Sequence, residues 1–331
     1  MFDWRLGDDR SRLLALYERG KAKQWNATER IDWTQELDPE NPQQLPPESL
    51  PIHRSVLLAR MSARERVDVM RHYQAWSVSQ FLHGEQGAMI CAAKTVQQVP
   101  DLDAKLFAAT QVVDEARHVE VYKRLAAKFG VTYQMTPGLN TLLQQILSDS
   151  RWDMTYLGMQ VVIEGLALAS FARIRDHAQN PLAASVNAFV MEDEARHVAF
   201  GALSLREYYQ HLGEAERNER EEFLIEACSL MQTRFDAVDL WQQLDLPLDQ
   251  CFTDPDGVTG LNREGDYLFS RIVPAIKGIG LLGPRVRRAL AGMGVLHLAG
   301  ADTDALGRED ECAAEAMDAR QRHVSAVAAQ A

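Results

Sequence analysis

The sequence predicts an all-α protein: a four-helix bundle core, additional helices on its C-terminal side and an extended N-terminal arm. Three observations carry that prediction. From Met61 to about Trp241 helix formers dominate, apolar residues recur every three or four positions, and turn signals come only at wide intervals. A set of acidic and histidine residues repeats at one fixed offset along this stretch. Pro100 lies midway between two members of the set, and Asn180-Pro181 divides the second copy in the same way.

Residues 1–60, which include Pro39, Pro42, Pro46, Pro47 and Pro51, read as an extended arm laid on the bundle. Ser62-Ala63-Arg64-Glu65 fits a capping box and starts a helix that runs to about Gln98. Pro100-Asp101 breaks the chain and caps a second helix ending near Phe129-Gly130, where glycine tolerates a left-handed cap. Thr136-Pro137 opens a third stretch, irregular around Ser148-Asp149-Ser150, that continues to Ala178. Asn180-Pro181 opens a fourth helix ending near Leu212-Gly213. A charged fifth helix is expected from about Glu214 to Leu244, then a loop over Pro247 to Gly260 and shorter helices from Arg263 to Gln330. No Pro/Gly/Ser-rich linker interrupts 61–245, so we read 61–245 as the helical core and 246–331 as a helical extension of the same domain.

Composition narrows the function. The 331 residues are 46% hydrophobic and 25% charged, as in an ordinary soluble globular protein. A net charge of −12 repels a phosphate backbone, so no nucleic-acid partner is expected. Cys91, Cys228, Cys251 and Cys312 are far apart with no Cys-x-x-Cys spacing, which fits neither a zinc knuckle nor a disulfide framework. The N-terminus has no basic start followed by an apolar run, and the apolar stretch Val161 to Ala169 is interrupted by Glu164 and short of the ~20 residues of a span. The expected location is the cytoplasm, with no membrane span.

The repeat carries the chemistry. Glu85, Glu115 and His118 return as Glu164, Glu194 and His197, each pair separated by 79 residues. Asp114-Glu115-Ala116-Arg117-His118 returns unchanged as Asp193-Glu194-Ala195-Arg196-His197, so each copy puts a carboxylate and an imidazole on one helix face. At ~1.5 Å per residue, a hairpin turning at Pro100 brings Glu85 level with the Glu115/His118 pair. The second hairpin does the same for Glu164, and two packed hairpins converge four carboxylates and two imidazoles at one height.

One such pair alone would be an ordinary ion pair on a solvated helix. Glu164, however, lies among apolar neighbours, where a lone carboxylate costs several kcal/mol. Two divalent cations neutralise four carboxylates, and mixed oxygen and nitrogen donors with open positions suit iron or manganese better than structural zinc. Asp114 and Asp193 are placed to accept the remaining N–H of the histidines, in crossed pairs by pseudo-symmetry: Asp193 with His118 and Asp114 with His197. Arg117 and Arg196 either hold those aspartates or face solvent.

The order Glu, Glu-x-x-His, Glu, Glu-x-x-His over residues 65–212 resembles the ferritin-like di-iron carboxylate superfamily, in its ribonucleotide-reductase-like oxygenase and oxidase branch. The resemblance implies that Glu85, Glu115 and His118 serve one iron and Glu164, Glu194 and His197 the other, with one or two bridging carboxylates. It implies a pair of Fe ions, with Mn/Fe compatible, and O₂ as co-substrate. Departures are informative. Val190 stands where the arylamine N-oxygenases carry an extra histidine, Leu168 where multicomponent hydroxylases place a threonine, and Gly87 and Met159 where ligand-binding oxidases form a valine–tyrosine crosslink. Tyr122, one turn after His118, has the offset of the reductase radical tyrosine, although it equally suits a hydrogen-bonded core residue.

The expected function is a non-haem di-iron monooxygenase or desaturase-like oxidoreductase that activates O₂ to hydroxylate, N-oxygenate or desaturate a small organic or acyl substrate. Electrons would come from a ferredoxin or flavin reductase, because the chain has no cysteine cluster to hold a redox centre of its own. Rival readings are a radical-generating subunit and a ferroxidase or peroxidase. A homodimer is compatible with the long helices. Phe81, Met89, Gln111, Val119, Gln160, Val161, Leu168 and Val190, one turn from the ligands, are expected to line any cavity, with Gly84, Gly87, Ala88 and Gly165 leaving room. His53, His72, His83, His177, His211, His297 and His323 have no partner at ligand spacing.

Overall fold

A computed structural model describes residues 11–232, 236–259 and 265–328. Their regular structure is helical apart from one isolated bridge between Thr253 and Thr259. Seven helices concern the site: α1 (Ser11–Ala22), α2 (Ala63–Gln98), α3 (Leu102–Phe129), α4 (Pro137–Ser148), α5 (Trp152–His177), α6 (Pro181–Tyr209) and α7 (Glu214–Gln232). After short helices come α8 (Ile272–Gly278), α9 (Pro284–Gly292) and α10 (Thr303–Ala328). The hairpins α2–α3 and α5–α6 form the four-helix bundle, with α1 and α10 laid against α6.

The boundaries follow local chemistry. Both bonds of the Ser62/Glu65 capping box form, Asp101 accepts from the amide of Ala104, and Gly130 closes α3 at φ 74°. Thr136 and Asn180 cap α4 and α6 ahead of Pro137 and Pro181. Lys94 Nζ holds the carbonyls of Ile146, Leu147 and Asp149 at 2.6–2.8 Å, which satisfies the frayed end of α4.

Several expectations are corrected. The stretch after Thr136 is two helices, separated at Asp149 to Arg151, and α5 is π-helical over Leu157–Ile163. Gly158 lies so close to α4 that a Cβ there would come within 2.4 Å of Ile146 Cγ1, and this tight crossing accompanies the widened turn. The fifth helix is described to Gln232 and is not continuous to Leu244, because Ala237 at φ 52° interrupts it before a separate helix, Val238–Gln243. The arm is helical at α1, where Leu13 and Leu16 are buried. The C-terminal part includes the long α10 rather than short helices alone. The extreme N-terminus, Gly260, Arg263 and the last three residues lie outside the described residues.

α5 is the one helix among the described residues long and apolar enough to cross a membrane, and 83% of its apolar window is buried inside the protein. Cys91, Cys228 and Cys251 are buried free thiols, and Cys312 is exposed.

Candidate metal centre

Glu85 comes from α2, Glu115 and His118 from α3, Glu164 from the turn after the π-helical stretch of α5, and Glu194 and His197 from α6. All six are buried, at 4% exposure or less. They form two overlapping groups whose donor atoms lie within 4.8 Å of one another: Glu85, Glu115, His118 and Glu194; and Glu115, Glu164, Glu194 and His197. Glu115 and Glu194 belong to both.

The imidazoles are held from behind. The Nε2–H of His118 donates to Asp193 Oδ2 at 3.1 Å, and that of His197 to Asp114 Oδ2 at 3.2 Å, the crossed arrangement expected from pseudo-symmetry. Each Nδ1 therefore faces the carboxylates. His118 Nδ1 lies 3.0 Å from Glu194, 3.3 Å from Glu115 and 3.4 Å from Glu85. His197 Nδ1 lies 3.2 Å from Glu115 and 3.3 Å from Glu194.

Without metal, protons must do the neutralising. Burial and the neighbouring Glu194 push the Glu85 carboxyl up to about 8, and burial with the same neighbour pushes Glu164 well above the usual range. Burial opposes charge on Glu115 too, but His197 and His118 outweigh it and hold that carboxyl below the usual range. Burial likewise opposes charge on His118 and His197; the surrounding carboxylates overcome it and raise both. Glu115 Oε2, Glu164 Oε2 and His118 Nδ1 still have no hydrogen-bond partner. Four carboxylates and two inward imidazole nitrogens with orphaned atoms fit two divalent cations, which replace the shared protons and satisfy those atoms.

Residues that sequence reasoning missed lie in the arm. Trp25 Nε1 donates to Asp193 Oδ2 at 2.8 Å and Gln24 Nε2 to Asp114 Oδ1 at 2.7 Å. Arg117 bonds both aspartates and Arg196 bonds Asp193, so neither arginine faces solvent. Arg30 reaches the buried Glu192 at 2.8 Å. No spacing rule ties residues 24–30 to a pentapeptide some 90 or 170 positions later; the tryptophan and glutamine before a helix were the only signal.

The expected cavity lining is partly corrected. A cavity of about 20 Å³ borders Glu85, Glu164 and Glu194 and is walled by Phe81, Gly84, Ala88, Ile163, Ala167 and Phe171. Gln111 does not face it as a free group: its Nε2 donates to Glu115 at 3.0 Å and Glu164 at 2.9 Å, and Gln160 donates to it in turn at 3.4 Å. Gly87 and Gly165 pack tightly against Leu143 and Ile272. Leu168 lines a different cavity, beyond α6. Tyr122 is buried, donates to Asn187 Oδ1 at 3.1 Å and packs against Phe81 and Phe171. His83 and His72 engage Tyr133 instead of the metal site.

Fold and site together define a di-metal carboxylate oxidoreductase of ferritin-like fold. Within that class the chain belongs to the family described as P-aminobenzoate N-oxygenase AurF, which matches residues 8–245. It is thus an O₂-dependent di-iron oxygenase of that family. Two glycine-substituted variants of an R2-like ligand-binding oxidase, anaerobically reconstituted with Mn/Fe, share the fold. One is 18% identical, covers 83% of this chain and 96% of its own, and gives a TM-score of 0.53. The other is 16% identical, covers 83% and 95%, and gives 0.54. No curated protein matches the chain. Family membership holds with valine at 190; Val190 is fully buried in an apolar cluster with Leu168 and Phe171, so that turn sends no seventh ligand to the metals.

Proposed function

We propose that this protein N-oxygenates a small organic amine: R–NH₂ + O₂ + 2 e⁻ + 2 H⁺ gives R–NHOH + H₂O. The electrons come from an external ferredoxin or flavin reductase in the cytoplasm, and the enzyme works as one domain, 1–60 and 246–331 being packed on the 61–245 core. The observation that carries the reading is the apolar cavity bounded by carboxylates of both metal groups.

In this reading Glu85, Glu115 and His118 would hold one iron and Glu164, Glu194 and His197 the other, with Glu115 and Glu194 belonging to both groups. A bound di-iron pair supplies the two-electron activation of O₂. The chain's own residues do the rest. Asp193 and Asp114 fix the histidine tautomers, and Gln111 orients Glu115 and Glu164. Phe81, Ile163 and Phe171 keep bulk water from the reacting nitrogen. Tyr122, through Asn187 and its ring contacts, stiffens that wall.

The cavity has room for about one water, so an amine enters only when a wall moves. Phe81 and Ser170 also line an adjoining recess with Tyr73, Arg173 and Tyr267, which makes Phe81 the gate.

The test is iron content per chain after iron supplementation, followed by 4-aminobenzoate turnover under ¹⁸O₂ with a chemical reductant. About two irons per chain and ¹⁸O on nitrogen support the reading. Oxygen on carbon, or desaturation, replaces N-oxygenation with the corresponding reaction. A stable tyrosyl radical lost in Tyr122→Phe moves the protein to the radical-generating class, and turnover of Fe²⁺ or H₂O₂ alone moves it to the ferroxidases or peroxidases.

A further inference from the structure

A series of aromatic rings runs from one of the clustered histidines to the surface. The imidazole of His197 lies edge-on to Phe107 of α3 with ring centres 6.4 Å apart, and Phe107 stacks on Phe200 of α6 at 4.0 Å. Phe200 meets Tyr156 of α5 at 5.3 Å, Tyr156 meets Trp152 one turn earlier at 5.2 Å, and Trp152 meets Tyr208 of α6 at 4.8 Å. Phe107, Phe200 and Tyr156 are buried. Trp152 and Tyr208 are half-buried and line a surface cavity of about 340 Å³ with Gln97, Gln98, Arg151 and Asp153.

Packing alone asks for large buried rings, but not for the order of these. Phenyl rings, which give up an electron least readily, stand next to His197, and the phenol and indole rings, which give one up more readily, follow toward water. Tyr156, the first oxidisable ring of the series, lies eight residues before Glu164 on α5, roughly 10 Å along the axis. Tyr122 offers no such exit. It is fully buried, its hydroxyl donates to Asn187, and its ring packs on the buried Phe81 and Phe171, so its proton has no water to go to.

The closed cavity at the carboxylates gives such a route a purpose. It has room for about one water, so O₂ reaches the centre more easily than an amine does. An oxidising equivalent formed there without an amine has only the walls, Phe81, Ile163 and Phe171, to attack.

We propose that the series is an electron route by which oxidising equivalents formed without substrate leave the metal centre. The inference rests on the reading of that centre as an O₂-activating iron pair, which is the oxidant. In net form, one electron passes from Tyr208 to the O₂-oxidised irons and the Tyr208 phenol proton passes to water in the surface cavity. The rings between give and regain the electron and end unchanged. Tyr208 is left as a phenoxyl radical, and a donor of one electron and one proton, such as ascorbate, returns it to the phenol from the surface cavity.

The test mixes anaerobic, iron(II)-loaded protein with O₂ in the absence of amine, with catalase present so that released peroxide cannot act at a distance. Absorbance follows iron oxidation, freeze-quench EPR follows protein radicals, and peptide mass spectrometry locates oxygen added to side chains. The expected result is a tyrosyl signal lost in Tyr208→Phe, kept in Tyr122→Phe, and quenched by ascorbate without slower iron oxidation. Trp152→Leu leaves Tyr208 in place and removes the ring before it. It should lose most of the signal while iron oxidises as in wild type, and oxygen should appear instead on Phe81 and Phe171. Trp152→Phe keeps a ring that resists oxidation, so it should act in the same direction and carries the test should Trp152→Leu fail to fold. Oxidised iron with no signal at Tyr208, a signal that belongs to Tyr122, or a Tyr208 signal untouched by both Trp152 changes would overturn the inference alone. Iron that O₂ does not oxidise would overturn it together with the oxygenase reading.

Discussion

The two halves of the metal centre repeat one motif but are supported differently. Asp193, from the second half, holds the first half's His118 and is itself held by Arg117, Arg196 and Trp25. Asp114 holds His197 and is held by Arg117 and Gln24. On the ligand side the asymmetry reverses. Both Glu164 and Glu85 border the cavity, but Glu164 is fixed by Gln111, whereas among the described residues Glu85 has only the 3.4 Å contact with His118. Each half therefore depends on the other, and damage to one is expected to appear at the opposite metal.

The largest effects should separate shared from unshared ligands. Glu194 belongs to both groups, so Glu194→Ala should leave essentially no bound iron, while Glu164→Ala, in one group only, should remove about half. Iron per chain, with circular dichroism to confirm folding, measures both; equal iron in the two variants would break the bridging assignment.

Next come the crossed aspartates. Asp193→Asn and Asp114→Asn should each lower metal affinity by about 10–100-fold, as for other residues that orient metal-bound histidines. Asp193→Asn should do more, because it disturbs three donors besides the imidazole. Competition with a chelator ranks the two, and a larger loss in Asp114→Asn would show that the count of donors does not set rigidity here.

Much of this was legible in the sequence because the repeat encodes it. Identical pentapeptides at equal offsets fix which helix faces converge, and Ser62, Asp101 and Asn180 fix where three of the four bundle helices begin. The π-helical stretch before Glu164 was not legible. It goes with close contact between Gly158 and Ile146, a property of helix crossing that no local pattern records. The arm escaped for a related reason: its five prolines point to extended chain, while the functional contacts come from Gln24, Trp25 and Arg30 ahead of them. Gln111 was singled out for its polarity, but its partners are two of the clustered carboxylates, Glu115 and Glu164.

Glycines near the two halves give a smaller contrast. A Cβ at Gly201 would come within 2.5 Å of Gln160 Cβ, at the π-helical stretch. Gly201→Ala should destabilise by ~1–3 kcal/mol through overpacking. Gly84, next to Glu85, has nothing within 4 Å of such a Cβ, so Gly84→Ala should be neutral or stabilise by up to ~1 kcal/mol. Urea denaturation of the iron-loaded proteins tests both, and equal costs would mean that the two halves are packed alike.

The smallest expected effect probes the arm. Trp25→Phe keeps an aromatic ring beside Arg117, which lies 4.8 Å above it, but removes the indole donor to Asp193. Three donors to Asp193 remain, so the cost should be ~1 kcal/mol, that of one net hydrogen bond. Gln24→Leu removes a donor from Asp114 and also the side-chain acceptor that Arg117 uses at 2.9 Å, so it should cost more. Calorimetric Tm at fixed iron loading is the measurement. A drop in Tm with unchanged iron means that the arm braces the helices around the centre. Loss of iron from Trp25→Phe alone would mean that its bond to Asp193 sets the position of His118, and that the better-held half is the one the arm controls.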